Sequence, residues 1–190
     1  MHRHFKIYKP YGYLSQFITN QKKAGKHKLL GELFDFPKGT MAVGRLDKDS
    51  EGLLILTTNG KLSTKITAGN SEKEYYVQVD GKITEHAIDK LKKGVDISIN
   101  GKSYQTLNCD ARILNKRPEF PERAKAIRDE RHGPTSWISI TLTEGKFRQV
   151  KKMTAAIGFP TLRLVRVRIA NEYLGSMKTG EVQELQNVKL

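Results

Sequence analysis

A single cysteine, Cys109, stands among 190 residues. No internal disulfide can form, and no cysteine-based zinc site can be built. The five histidines are scattered (His2, His4, His27, His86 and His132) and only the first two lie close together, so no metal is expected. No apolar run approaches the roughly 18 to 20 residues that span a bilayer, and the start MHRHFKIYKPYG lacks the apolar core of a signal peptide. A membrane partner is therefore not expected, and a reducing cytoplasm is. Internal repeats and low-complexity segments are lacking too. Acids are few: 20 Asp and Glu face 34 Lys and Arg, for a formal net charge of +14 and a pI near 9.8. Such an excess repels itself in a compact chain and points to a polyanionic partner, of which nucleic acid fits best. The same repulsion makes a monomer the expectation.

What is present is enough for a core: 37% of residues are hydrophobic and 28% charged, in a length that suits one domain or two small lobes. Strand and helix signals are interspersed, without the strand-helix alternation of a doubly wound sheet. Strands are expected over 4–8, 41–43, 53–57, 73–80, 95–99 and onward from Asn100-Gly101, 136–143 and 162–169. A turn at Asn59-Gly60 is expected to close the third. Helices are expected over 29–34, from Glu85 with Thr84 as cap up to a stop at Gly94, and over 146–157. Residues 115–134 carry prolines and dense mixed charge and read as a long basic loop of the kind that is often functional.

Basic charge is most concentrated between Gly145 and Arg168, where Lys146, Arg148, Lys151, Lys152, Arg163, Arg166 and Arg168 occur with no acid. A helix and a strand with solely basic polar faces would track phosphates and give binding that weakens steeply with salt. Lys116, Arg117, Arg123, Lys125, Arg128 and Arg131 of the loop are a weaker group, with acids interleaved. Lys22, Lys23, Lys26 and Lys28 form a third.

The stretch GRLDKDSEGLLILTTNG, residues 44–60, holds three acids before an apolar run. Its first half matches a calcium loop, but the twelfth position from Asp47 is Thr58, where a bidentate glutamate is required. Asp49 and Glu51 read as turn residues entering a strand. Asp47, between Arg45 and the apolar run, reads as one firmly held carboxylate of a kind that can serve catalysis.

Gly44-Arg45-Leu46-Asp47 with SEGLLILT, Lys9-Pro10-Tyr11-Gly12, Lys73-Glu74-Tyr75-Tyr76-Val77 and EGKFRQVKKMTAAIGFPTLRLVRVRI (residues 144–169) together resemble, in order, the motifs of the RsuA family of ribosomal RNA pseudouridine synthases. The runs Ser15-Gln16-Phe17 and Pro134-Thr135-Ser136-Trp137 are similar to its RluE-type branch, which acts on the large subunit. The resemblance implies an α+β pseudouridine synthase fold: a mixed, mainly antiparallel sheet with flanking helices, in two lobes around an RNA cleft. It implies one catalytic domain over 1–190 with two subdomains, lacking the S4 domain of many relatives. It also implies an isomerase that needs no cofactor or metal and acts on large-subunit ribosomal RNA or its assembly particle. In this reading Asp47 is the catalytic carboxylate, Tyr75 lies against the target base, and Lys151 pairs with Asp47, Arg148 being the alternative. Arg45, Lys146, Arg148, Lys152, Arg163 and Arg166 contact RNA. The rival is an RNA-binding or ribosome-assembly protein of the same fold without activity.

Overall fold

A computed structural model describes residues 2–19, 27–68 and 71–189, so Lys22, Lys23 and Lys26 lie outside the described residues. The described elements are β1 (His4–Lys9), β2 (Met41–Ala42), β3 (Glu51–Thr57), α1 (Gly60–Ala68), β4 (Lys73–Asp80), α2 (Glu85–Lys92), β5 (Asp96–Ile99), β6 (Lys102–Gln105), β7 (Asp110–Ile113), β8 (Thr135–Leu142), α3 (Gln149–Ala156), β9 (Thr161–Ile169), β10 (Glu172–Tyr173) and β11 (Val182–Leu185). Short 3-10 turns occupy Leu30–Glu32 and Glu130–His132, the first in place of the helix expected over 29–34. The chain is α+β. It divides into two compact units: Met1–Ser71 with Pro121–Lys125 and Arg166–Leu190, and Glu72–Phe120 with Ala126–Val165.

In the first unit β1 pairs antiparallel with both β3 and β11, Ile7 standing opposite Leu54 and Val182. Every residue of β3 is buried. A continuous apolar run of this kind marks a strand covered on both faces. It begins at Glu51, which is only 1% exposed, so Glu51 is a strand residue and not the turn residue its composition led us to expect. Nor does Asn59-Gly60 form a simple turn. The Asn59 carboxamide oxygen accepts from the backbone N–H groups of Lys61 and Leu62, capping α1, a helix the sequence reading did not anticipate.

In the second unit β8 lies between β4 and β7, antiparallel to each, with Ile140 opposite both Tyr75 and Ala111. Thr84 caps α2 by accepting from the Ala87 N–H, and Ala87, Ile88 and Leu91 form its buried face. Gly94 ends that helix at φ +81°; a Cβ there would stand 2.3 Å from the Thr106 carbonyl oxygen. The hairpin expected at Asn100-Gly101 joins β5 to β6, with both turn residues at positive φ. The third helix starts later than expected. Arg148 sits ahead of it in the left-handed region at φ 53°, which breaks the helical path, so Lys146 and Arg148 lie on the approach to α3 and not one turn earlier on its face.

Candidate active site

The residues around Asp47 are held from several directions within the first unit. Ser15, itself 7% exposed, donates its hydroxyl hydrogen to the Leu46 carbonyl at 2.8 Å and accepts from the Leu46 N–H at 2.9 Å. One buried hydroxyl thus satisfies both backbone groups of the residue next to Asp47. On the other side the Gly12 N–H donates to the Lys48 carbonyl at 2.8 Å, and the Ser50 N–H closes a turn on the Asp47 carbonyl at 3.0 Å. Gly12 is itself anchored. The turn it belongs to is pinned by the fully buried Lys9, whose ammonium donates to the carbonyls of Pro10 at 2.9 Å and Tyr13 at 2.7 Å. This gives the Lys-Pro-Tyr-Gly motif a physical purpose, since charge-assisted hydrogen bonds fix the segment that braces Lys48.

Arg166 supplies a third support. Its Nε donates to the Leu53 carbonyl at 2.8 Å and its Nη1 approaches the Arg45 carbonyl at 3.5 Å. The side chain is 3% exposed, and Nη2 is buried with no hydrogen-bond partner among the described residues, as is the Ser50 hydroxyl. Arg45 is exposed and donates to the Gln16 side-chain oxygen. Asp47 is therefore a half-buried carboxylate on a backbone whose flanking groups are almost all tied down.

The remaining candidates lie in the second unit. Tyr75 is 9% exposed on β4. Lys146 is exposed, with its ammonium 4.9 Å from the centre of the Tyr104 ring. Lys151 and Lys152 are half-buried in the first turn of α3; Lys152 donates to the Ser98 carbonyl at 2.7 Å and lies 5.2 Å from the Phe147 ring centre. Arg163 is 7% exposed, its guanidinium 5.5 Å from the centre of the Phe120 ring. The picture of β9 as a strand with arginines displayed on an open face is thus corrected. Residues 163–166 are consecutively buried, because a strand covered on both faces has no outward side for a charge to occupy.

The start of α3 is organised by Glu144, a residue the sequence reading did not single out. Its carboxylate accepts from the Tyr104 hydroxyl at 2.6 Å, the Leu107 N–H at 2.8 Å and the Gln149 amide at 2.6 Å. Gln149 in turn accepts from the Lys146 N–H at 2.9 Å. The hydrogen bond to Glu144 raises the Tyr104 hydroxyl above its ordinary pKa. Ser15 was also missed as a functional residue. Its only signal was membership of the Ser15-Gln16-Phe17 run, since the partner it grips is 31 positions away. Among the described residues no group of three or more His, Cys, Asp or Glu side chains could hold a metal ion, and no helix is long and apolar enough to cross a membrane.

Residues 3–156 match the model of the RNA pseudouridylate synthase family. The chain belongs to that family. This pseudouridylate synthase is 42% identical over 180 residues to the ribosomal large subunit pseudouridine synthase E of Vibrio parahaemolyticus, a match that covers 94% of this chain and 71% of that one. It is 39% identical over 171 residues to the protein of the same description in Xanthomonas axonopodis pv. citri, covering 89% and 86%. A crystal structure described as a pseudouridylate synthase superposes with a TM-score of 0.77 at 26% identity, covering 98% of this chain and 71% of that one. Human RNA pseudouridylate synthase domain containing 1 shares the fold at a TM-score of 0.57 and 13% identity, covering 98% and 80%. The family, the α+β fold and the isomerase class expected from the four ordered motifs are those found.

Proposed function

We propose that this enzyme converts a uridine of large-subunit ribosomal RNA to pseudouridine, with Asp47 as its catalytic carboxylate, the two compact units together forming one catalytic domain. The observation that carries the reading is the bracing of residues 45–48 by Ser15, Gly12 and Arg166. Catalysis needs its acting group held to within a fraction of an ångström, and a carboxylate between fixed backbone groups meets that demand. The reaction is an isomerisation. The bond from ribose C1′ to uracil N1 breaks, the base turns, and C1′ joins C5; C5 loses its hydrogen and N1 gains one, so no electron acceptor or group donor is required.

In this reading Tyr75 packs against the target base, which must leave its stack to be worked on. Lys151 is the cation that pairs with Asp47, with Arg148 beside it as the alternative. Arg45, Lys146 and Lys152 meet the RNA backbone. The buried Arg166 serves the Asp47 loop from behind.

The test compares wild type with Asp47→Asn on large-subunit ribosomal RNA labelled with tritium at uridine C5. Tritium release should fall by at least about a hundredfold, the lower range for loss of a positioned catalytic group, while RNA affinity stays within about threefold. Release by the variant at the wild-type rate would remove Asp47 from the mechanism. RNA binding by a wild-type chain that releases no tritium would favour the rival assembly role.

A further inference from the structure

The second unit holds a pocket that the catalytic reading leaves unused. Arg117, Pro118, Glu119, Phe120, Trp137 and Arg163 line a cavity of about 390 Å³. Its apolar wall is a ring cluster: the Phe120 centroid lies 5.8 Å from Trp137 and 6.2 Å from Tyr76. The Arg163 guanidinium adds a cation 5.5 Å from the Phe120 centroid. Arg117 and Glu119 are exposed at the rim, next to the exposed Lys116.

We propose that this pocket binds one unpaired nucleotide of the RNA substrate, outside the target uridine. Neighbours on a strand point to opposite faces of a sheet. Phe120 packs on Tyr76, so the pocket lies on the face of β4 opposite that of Tyr75, and the base it takes is not the one Tyr75 is placed to meet. The chemistry matches a nucleotide group by group. Aromatic walls accept the faces of a base of any identity. The Glu119 carboxylate can accept from an N–H on a base edge, which uracil and guanine supply from the ring and adenine, cytosine and guanine from an exocyclic amine. The Arg117 guanidinium suits the attached phosphate. Arg117, Arg163 and Lys116 against Glu119 leave the site cationic, and the volume falls at the small end of the roughly 300 to 1,000 Å³ of ligand pockets. Duplex RNA would not fit, since its bases are stacked and their faces hidden. The pocket also gives a role to the long loop 115–134, which contributes its Arg117–Phe120 side. The proposal rests on the ribosomal RNA reading for its ligand and does not depend on Asp47.

The chain has one tryptophan, so Trp137 emission reports on this pocket alone. The full chain is titrated with a single-stranded RNA 12-mer of mixed sequence and with a blunt RNA duplex, following Trp137 emission and, separately, the anisotropy of end-labelled RNA. Single-stranded RNA should quench Trp137 with the midpoint seen by anisotropy, in wild type and in Asp47→Asn alike, and the duplex should not. Phe120→Leu, which keeps apolar volume and removes the stacking ring, should weaken single-strand affinity by at least about fivefold. Arg117→Ala, a change at an exposed side chain, should do the same and reduce the slope of log affinity against log salt by about 1. RNA binding without change in Trp137 emission would overturn the proposal, as would equal quenching by the duplex, or affinities of both variants within twofold of wild type. Tritium release with no quench would end this inference and leave the proposed function standing; quench with no tritium release would do the reverse.

Discussion

Replacing Ser15 by alanine removes one oxygen and adds no bulk, which isolates the clamp on Leu46. Two buried hydrogen bonds are lost, the donation to the Leu46 carbonyl at 2.8 Å and the acceptance from its N–H at 2.9 Å. Each left-over backbone group costs about 1–3 kcal/mol if it stays buried and unpaired. Leu46 is 7% exposed, so water reaches it poorly, and some local relaxation toward the lower end is expected. The sum is a destabilisation of about 2–4 kcal/mol. The functional consequence should be separable. A loosened Leu46 lets the neighbouring Asp47 sample positions away from the reacting ribose or base, and a misplacement near 1 Å costs on the order of a hundredfold in rate. In the proposed mode other residues meet the RNA phosphates, so RNA affinity should change little. Urea unfolding at equilibrium measures the first effect, and steady-state tritium release from 5-labelled uridine in RNA measures the second. The expected pattern is a kcat at least about tenfold lower with KM within about threefold. A variant within about 0.5 kcal/mol of wild type in stability, with kcat unchanged, would refute the view that Ser15 positions the catalytic loop. A fall in stability with kcat intact would make Ser15 a purely structural residue.

Two further expectations follow. Arg166→Met removes the donor to the Leu53 carbonyl and should lower stability by about 1.5–3 kcal/mol, the range for a hydrogen bond to a charged group. Its salt slope for RNA binding should match wild type, whereas loss of a phosphate contact would reduce that slope by about 1. The Cys109 thiol, pushed up from its ordinary 9.0 to about 11 chiefly by burial, with the Asp110 and Glu144 charges adding to it, holds its proton more tightly folded than unfolded. Below pH 9 it contributes no pH dependence; between 9 and about 11 the unfolded thiol ionises first, so stability falls as pH rises. Urea midpoints should therefore decline more steeply for wild type than for Cys109→Ala across that window, and parallel declines would refute the assignment.

Where a signal was local, the sequence carried it. The Asn100-Gly101 hairpin, the capped α2 with its Gly94 stop, and the apolar run of β3 each depend on neighbours within a few positions, and each was legible. The helix α1 and the strand β7 were not. Only Ile66 of α1 and Ala111 of β7 are buried, so neither segment carries an apolar period strong enough to read; pairing with β8 defines β7, and the Asn59 cap defines the start of α1. The site divides in the same way. Asp47 was singled out from its position between Arg45 and an apolar run and from an ordered set of motifs. Glu144 and the inward turn of Arg166 were invisible, and Ser15 was marked only by the Ser15-Gln16-Phe17 run, because their partners are distant along the chain or are bare carbonyls that leave no mark on composition.

The amino-acid order by itself determined the basic surplus, the family, the locally encoded elements and the candidate carboxylate. These follow from residue type and short-range spacing, which act before the chain is packed. Only the tertiary structure decided that Lys9 pins the turn bracing Lys48, that Ser15 grips Leu46, and that Arg163 and Arg166 lie inside β9's surroundings instead of on an open face. The physical reason is that burial and long-range hydrogen bonds belong to pairs of segments, and no single segment specifies which other one will cover it.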